Sequence, residues 1–301
     1  KLLYSKLKIK KPQKKRLINK SKKIFSGNAK WYCILYIEGD NFMAMNYGIE
    51  FENEFINSIN NKKFKELSEN LRRILNIIFP ASSDNDLIVA EHCDPSGKPD
   101  VKISVNNESH YISLKTNTAK HIHSEELEKF IGKLEDFEIS KTSIDTIKKF
   151  HFGDGTTDGS GINRMTYDEL FPIMINEIKN ANEELNSYNE KVVNLVEKFV
   201  FIGNNASIPE ADFIYHGSIN FGVLCSRKQI VKHLRRRNYD YMRNLHIGPL
   251  QFHPYARYAN FKERNPYKRK IINFVWVNFV QDLEYISSHY PFYWVCLYSL
   301  F

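Results

Sequence analysis

The stretch KPDVKISVNNESHYISLKT, Lys98 to Thr116, brings together residue types that can do chemistry on a phosphate. Two short alternating runs flank a polar turn, which predicts a β-hairpin. With the turn centred on Asn107-Glu108, Val101 faces Leu114 and Ile103 faces Ile112, making one apolar face. The other face then pairs Lys102 with Ser113 and Asp100 with Lys115. A four-residue loop from Asn106 to Ser109 gives the same register. A carboxylate held beside a lysine on paired strands can bind a hard divalent cation through its oxygens and use the ammonium to steer water or offset developing charge. The same residues could equally form a cross-strand ion pair on a solvated hairpin.

The elements that must position these groups follow from periodicity. Phe51, Phe55 and Ile59 mark a helix from about Gly48, Asn60-Asn61 interrupts it, and Phe64, Leu67, Leu71, Leu75 and Ile78 continue a second helix to Pro80. LIVAEHC (87–93) reads as a strand. After the hairpin, Ser124 is expected to cap a helix whose first turn is Glu125-Glu126-Leu127, with Leu127, Phe130, Ile131 and Leu134 as its buried stripe. FHFGDGTTDGSG is expected to run from a strand into a glycine-rich turn. One long helix is expected over Tyr167 to Phe199. The last third reads as α+β: a strand pair in ADFIYHGSINFGVLC, a basic helix RKQIVKHLRRR capped by Ser226, and alternating runs in IGPLQFHPYARYANF and KRKIINFVWVNFV.

PD followed by YISLK resembles the PD-(D/E)xK nuclease superfamily, which includes restriction endonucleases and repair nucleases. Asp100 matches the family's Asp and Lys115 its Lys. Ser113 stands where the second acid belongs. Some restriction endonucleases with Ser there take the missing carboxylate from the following helix. The run SLKT…IHSEE looks like sequences with SIK and a VHQE-like segment, which implies Glu125, with Glu126 and Glu91 as alternatives. YGIEFENEF matches the local form G-x-x-F/Y-E of the family's first helix and implies Glu52 as a further acid. The resemblance covers about residues 45–155 and implies a restriction-endonuclease-like αβββα core in an α/β protein, with an α+β C-terminal region. It implies Mg²⁺ on Asp100, Glu125 and Glu52, with Lys115 positioning the attacking water. The products would carry a 5′-phosphate and a 3′-hydroxyl.

The 301 residues carry a net charge of +8, but it is segregated. Residues 1–37 hold 12 Lys/Arg and no acid, residues 38–212 hold 18 against 31, and residues 213–270 hold 13 against 2. Basic blocks suit a polyanion. Arg227, Lys228, Lys232, Arg235, Arg236, Arg237 and Arg257 are the expected phosphate contacts, the last lying among interleaved aromatics in FHPYARYANFKERNPYKRK. The expected organisation is a basic arm at 1–30, a nuclease-like core at 31–160, and a helical bridge with a basic DNA-binding region at 161–301. Double-stranded DNA is the expected partner, and cutting both strands favours a two-fold homodimer.

Other readings are bounded. Cys33, Cys93, Cys225 and Cys296 have no CxxC spacing, so no structural zinc is expected and the thiols are read as reduced. No apolar run is long enough to span a bilayer, and the first 20 residues contain no apolar leader core, so a cytoplasmic protein without membrane association is expected. No GxxxxGK[ST], GxGxxG or GxSxG motif occurs. Two alternatives stay open: a DNA-binding protein on an inactive nuclease scaffold, which Ser113 favours, and an RNA-binding or RNA-processing protein.

Overall fold

The computed structural model describes residues 47–116, 120–162, 164–237, 239, 244–254 and 266–290. The basic arm, the expected strand 31–37, Cys33, Arg257, Cys296 and the apolar residues 291–301 lie outside them. The described residues belong to one compact unit that begins at residue 46.

Helix α1 (Tyr47–Ile59) buries Phe51, Phe55 and Ile59, one turn apart. It stops at Asn61, whose φ of 57° is left-handed and suits an asparagine. Two-residue strand β1 (Lys62–Lys63) and a 3₁₀ turn over Phe64–Glu66 replace the expected start of the second helix. Helix α2 (Glu69–Ile78) then buries Leu71, Ile74, Leu75 and Ile78. Strands β2 (Leu87–His92), β3 (Val101–Val105) and β4 (Glu108–Thr116) follow as an antiparallel meander. The order helix, strand, strand, strand is the one expected for an α/β core, with one more strand, β5 (His121–Glu126), before the next helix, α3 (Leu127–Asp136).

The hairpin forms with a different register. Val101 pairs with Ile112, Ile103 with His110, and Val105 with Glu108, so the two turn residues are Asn106 and Asn107. Asn106 takes a φ of 53°, the left-handed conformation that tight hairpin turns require and that asparagine tolerates better than glutamate. The slip is two residues, an even number, so the faces survive. Val101, Ile103, Val105, Ile112 and Leu114 still bury together against α1 and α2. Asp100 and Lys115 still share the polar face, but Ser113 now stands opposite Asp100.

Helix α4 (Lys141–Phe152) corrects the expectation of a strand before the glycine-rich turn. Ser140 caps it, and Ile144, Ile147 and Phe150 bury at helical spacing. Gly153, at φ 65°, ends it in the left-handed conformation that favours glycine. The expected long helix is two, α5 (Tyr167–Ser187) and α6 (Asn189–Glu197), broken at Tyr188.

Strand β6 (Phe213–Gly217) then pairs in parallel with β4, and β7 (Gly222–Ser226) returns beside it. One six-stranded sheet results, in the order β1-β2-β3-β4-β6-β7. The expected boundary at 160/161 therefore falls inside a unit whose main sheet draws strands from both sides of it. β6 is buried along its whole length: Phe213 and Tyr215 join the α1/α2 core, while Ile214 packs into a second core. That second core surrounds a four-stranded sheet, ordered β5-β10-β9-β8, made with β8 (His246–Ile247), β9 (Leu250–Pro254) and β10 (Ile271–Trp276). Helix α7 (Arg227–Leu234) starts as expected at Ser226, whose Oγ accepts from Gln229 N, and α8 (Phe279–His289) closes the described chain.

The β4–β6 junction carries a pH-sensitive tie. The His110 ring meets Asp212 Oδ2 at 3.2 Å through Nδ1 and Glu108 Oε1 at 2.9 Å through Nε2. Two carboxylates call for a donor on each nitrogen, which is the imidazolium. The bond to Asp212 accordingly raises the His110 pKa above the ordinary 6.5, against the opposing effect of burial. A raised histidine stabilises the fold fully below the unfolded value and ceases to do so as pH rises through the folded one. The urea midpoint should fall as pH is raised from 6 to 8.5. His110→Phe should reduce that fall; an unchanged pH dependence would count against the tie.

Candidate active site

Asp100 lies just ahead of β3, and its carboxylate is held by the neighbouring strand. Its Oδ2 accepts from Leu114 N at 2.5 Å and from Ser113 Oγ at 3.1 Å. Ser113 is 1% exposed. It thus orients a carboxylate from the place where a second acid was looked for. Lys115 Nζ stands 3.6 Å from the same Oδ2 and donates to Leu114 O at 3.2 Å. His216 on β6 is the register partner of Lys115 and is buried.

Glu52 on α1 joins this group. Burial, and next the negative charge of Asp100, push its carboxyl up to about 7, with Lys115 pulling the other way. His92 Nδ1 is 3.7 Å from its Oε2. The charges of Asp100 and Lys115 thus both act on Glu52.

Glu125 does not join them. The sequence placed it in the first turn of a helix. It lies instead on β5, where Glu125 pairs with Ile272 of β10. Its side chain is buried, ion-paired with Lys133, and stands 3.6 Å from His123 Nε2. Burial would raise its pKa, but His123 and Lys133 together outweigh that and hold it low. The expected set of three metal-binding carboxylates is not assembled, and no group of three His, Cys, Asp or Glu that could hold a metal occurs among the described residues. The alternatives are engaged elsewhere. Glu91 binds Lys102 at 2.7 Å, and Glu126 accepts from Tyr267 Oη at 3.0 Å.

Lys98 was not singled out from the sequence. Its Nζ lies 3.1 Å from both Ile122 O and His123 Nδ1. Burial, then repulsion from Lys115, lowers it to about 7, while Asp100 and Glu125 oppose the shift. His123 is lowered to about 4 by burial and is neutral near pH 7. Nothing in the local pattern flags Lys98, because its partners come from β5.

Several of the arginines expected to hold phosphate bind the protein's own acids. Arg227 pairs with Glu197 and Glu210, and Arg235 with Glu190 at 3.0 Å. Arg237 donates to Asp282 at 2.8 Å. Lys228, Lys232 and Arg236 are exposed on or just past α7, and Lys232 and Arg236 lie over the Tyr290 ring. A cleft of about 320 Å³ opens between the polar face of β3–β4, at Lys102 and Tyr111, the end of β2 at His92 and Cys93, and the loop Asn205–Pro209. No described helix is long and apolar enough to cross a membrane.

No protein-family model matches the chain, and no curated protein sequence matches it significantly. Among solved structures it is similar to the restriction endonuclease MspI in complex with its cognate DNA. The likeness has 14% identity and a TM-score of 0.45 and covers 75% of this chain and 88% of that one.

Proposed function

We propose that the protein is a Mg²⁺-dependent endonuclease that hydrolyses DNA phosphodiester bonds, of the type II restriction class, acting as a homodimer across the two strands. The observation that carries this reading is the Asp100–Lys115 pair at 3.6 Å, Asp100 just ahead of β3 and Lys115 on the neighbouring β4. Mg²⁺ commonly takes one or two carboxylates and keeps several waters, so Asp100 and Glu52 are the proposed ligands. Burial, and next the negative charge of Asp100, favour the neutral Glu52 carboxyl, and a bound cation would favour its charged form. Bound there, the ion would supply charge neutralisation on the phosphate and a more acidic water. Ser113 and Leu114 N–H would keep the Asp100 carboxylate aimed. Lys115 would hold the attacking water or offset charge on the phosphate. Lys228, Lys232 and Arg236 are the proposed backbone contacts, and the cleft at Tyr111 would take a flanking nucleotide.

The test is cleavage of mixed-sequence duplex DNA with Mg²⁺ or EDTA by wild type and Asp100→Asn. Discrete fragments from wild type in Mg²⁺ alone are expected. DNA binding without cutting in any condition, on substrates that cover all short sites, would favour an inactive scaffold instead.

A pH dependence follows from Glu52. A ligand must be deprotonated to bind metal. With its carboxyl near 7 in the metal-free protein, Mn²⁺ affinity should rise by about tenfold per pH unit below 7 and level off above it. Glu52→Gln should weaken binding and flatten this profile in calorimetric titrations at pH 6, 7 and 8. A wild-type affinity that does not change between pH 6 and 7, and is unaltered in Glu52→Gln, would exclude Glu52 as a ligand.

A further inference from the structure

Behind the Asp100–Lys115 pair lies a second line of charge that the reaction as described does not use. Lys98 sits on the loop that leads into β3 in the main sheet. Both groups that accept from it, Ile122 O and His123 Nδ1, belong to β5 in the other sheet. When Lys98 donates as the ammonium, His123 accepts through Nδ1 and carries its proton on Nε2, which faces Glu125 at 3.6 Å. The imidazole is stacked on Phe199 at a centroid distance of 4.4 Å, and Lys133, which pairs with Glu125, lies over the same ring at 4.9 Å. Space for the lysine stem is left by Gly203, where a Cβ would stand 3.1 Å from Lys98 Cγ. The pairs Lys98–His123 and Glu125–Lys133 thus face one another across 3.6 Å, made by residues from several elements.

Taking an ammonium out of water costs several kcal/mol unless its donors are met. Surface lysines supply net charge without that cost, so net charge does not explain this one. Its position does. Asp100 is two residues away, and its backbone bonds both flanking segments: Cys93 N donates to Asp100 O at 3.0 Å, and Asp100 N to Ile112 O at 2.9 Å. Tying the 98–100 segment to β5 fixes where the Asp100 carboxylate stands. The like charge of Lys98 also opposes any retreat of the Lys115 ammonium into the protein.

We infer that Lys98 is a positioning residue of the proposed nuclease site, locking the main sheet to β5 through Ile122 O and His123 so that Asp100 and Lys115 meet the phosphate in one arrangement. This rests on the nuclease reading for its catalytic consequence, but not for its structural content.

Two variants and two readouts test it. Lys98→Met keeps the stem and removes the ammonium; His123→Leu keeps Lys98 and removes its acceptor, and carries the test if Lys98→Met does not fold. The first readout is steady-state cleavage of duplex DNA in Mg²⁺. Misplacement of a reacting group by about 1 Å costs on the order of 10²-fold. Both variants should therefore lower kcat by at least about 30-fold and leave KM within about threefold. The second is the ¹³Cε resonance of Lys115 in ¹³C-lysine-labelled protein without DNA or metal, identified by its loss in Lys115→Ala. It should move in both variants toward the position of exposed lysines. An unmoved Lys115 resonance in both variants, or a raised KM at unchanged kcat, would overturn the inference. If wild type does not cut DNA, the nuclease reading falls, and the resonance alone decides whether Lys98 positions Lys115.

Discussion

Lys115→Ala is expected to slow DNA cleavage by about 10³-fold, the loss seen when one preorganised charge-stabilising donor is removed. Affinity for DNA in the absence of divalent metal should change by less than about threefold, because one phosphate-facing cation among several contributes little to binding. The geometry explains the asymmetry. Lys115 Nζ lies 3.6 Å from Asp100 Oδ2 and uses one donor on Leu114 O, which leaves donors to point at substrate. Lys115→Arg should also be slow, since a planar guanidinium cannot occupy the place of a compact ammonium. Glu125→Gln gives the contrast. Its carboxylate is committed to Lys133, so its effect should fall mainly on stability. Single-turnover rates for the three variants against fluorescence-anisotropy binding decide the matter. A Lys115→Ala enzyme that cuts within about tenfold of wild type would remove Lys115 from the chemistry.

The largest loss of stability is expected at Asp282. This residue is 1% exposed, in the first turn of α8, and serves two partners from different elements. Trp276 Nε1 donates to Oδ2 at 2.7 Å, and Arg237 Nη1 to Oδ1 at 2.8 Å. Removing one partner of a buried ion pair costs about 3–5 kcal/mol, because the remaining groups lose the bond without regaining water. Arg237 is partly exposed, so Asp282→Ala should sit at the low end, about 3 kcal/mol. Burial raises the Asp282 carboxyl despite both bonds. Asp282→Asn, which keeps the shape and sheds the charge, should therefore cost less than Asp282→Ala. Urea unfolding at pH 7 measures both. Equal losses for the two variants would contradict the charge argument.

Asp282 also shows why the basic helix was only half legible. The concentration of arginine at 227–237 is plain in the sequence, and it suggests a polyanion. Arg227, Arg235 and Arg237 are instead ion-paired with Glu197, Glu210, Glu190 and Asp282, which lie 17 to 45 residues away. A count of charge in a window has no access to a carboxylate brought in by another helix. Lys228, Lys232 and Arg236 keep the exposure that a phosphate contact needs.

What the sequence determined by itself is what depends on parity and on near neighbours. Alternation in the hairpin placed Asp100 and Lys115 on one face, and a register slip of two left that face intact because strand side chains repeat every two residues. Helical spacing found α1, α2 and α3, and Ser226 as a cap found the start of α7. What only the tertiary structure decided is which acids meet Asp100. Ser124-Glu125-Glu126 carries the local signature of a helix start. It is a strand because β10, nearly 150 residues later, pairs with it. Backbone hydrogen bonds along that ladder outweigh one helix cap, and Glu125 pairs with Lys133. The approach of Glu52, the clamp at Lys98 and the seat of Ser113 likewise depend on packing between segments that the chain itself holds far apart.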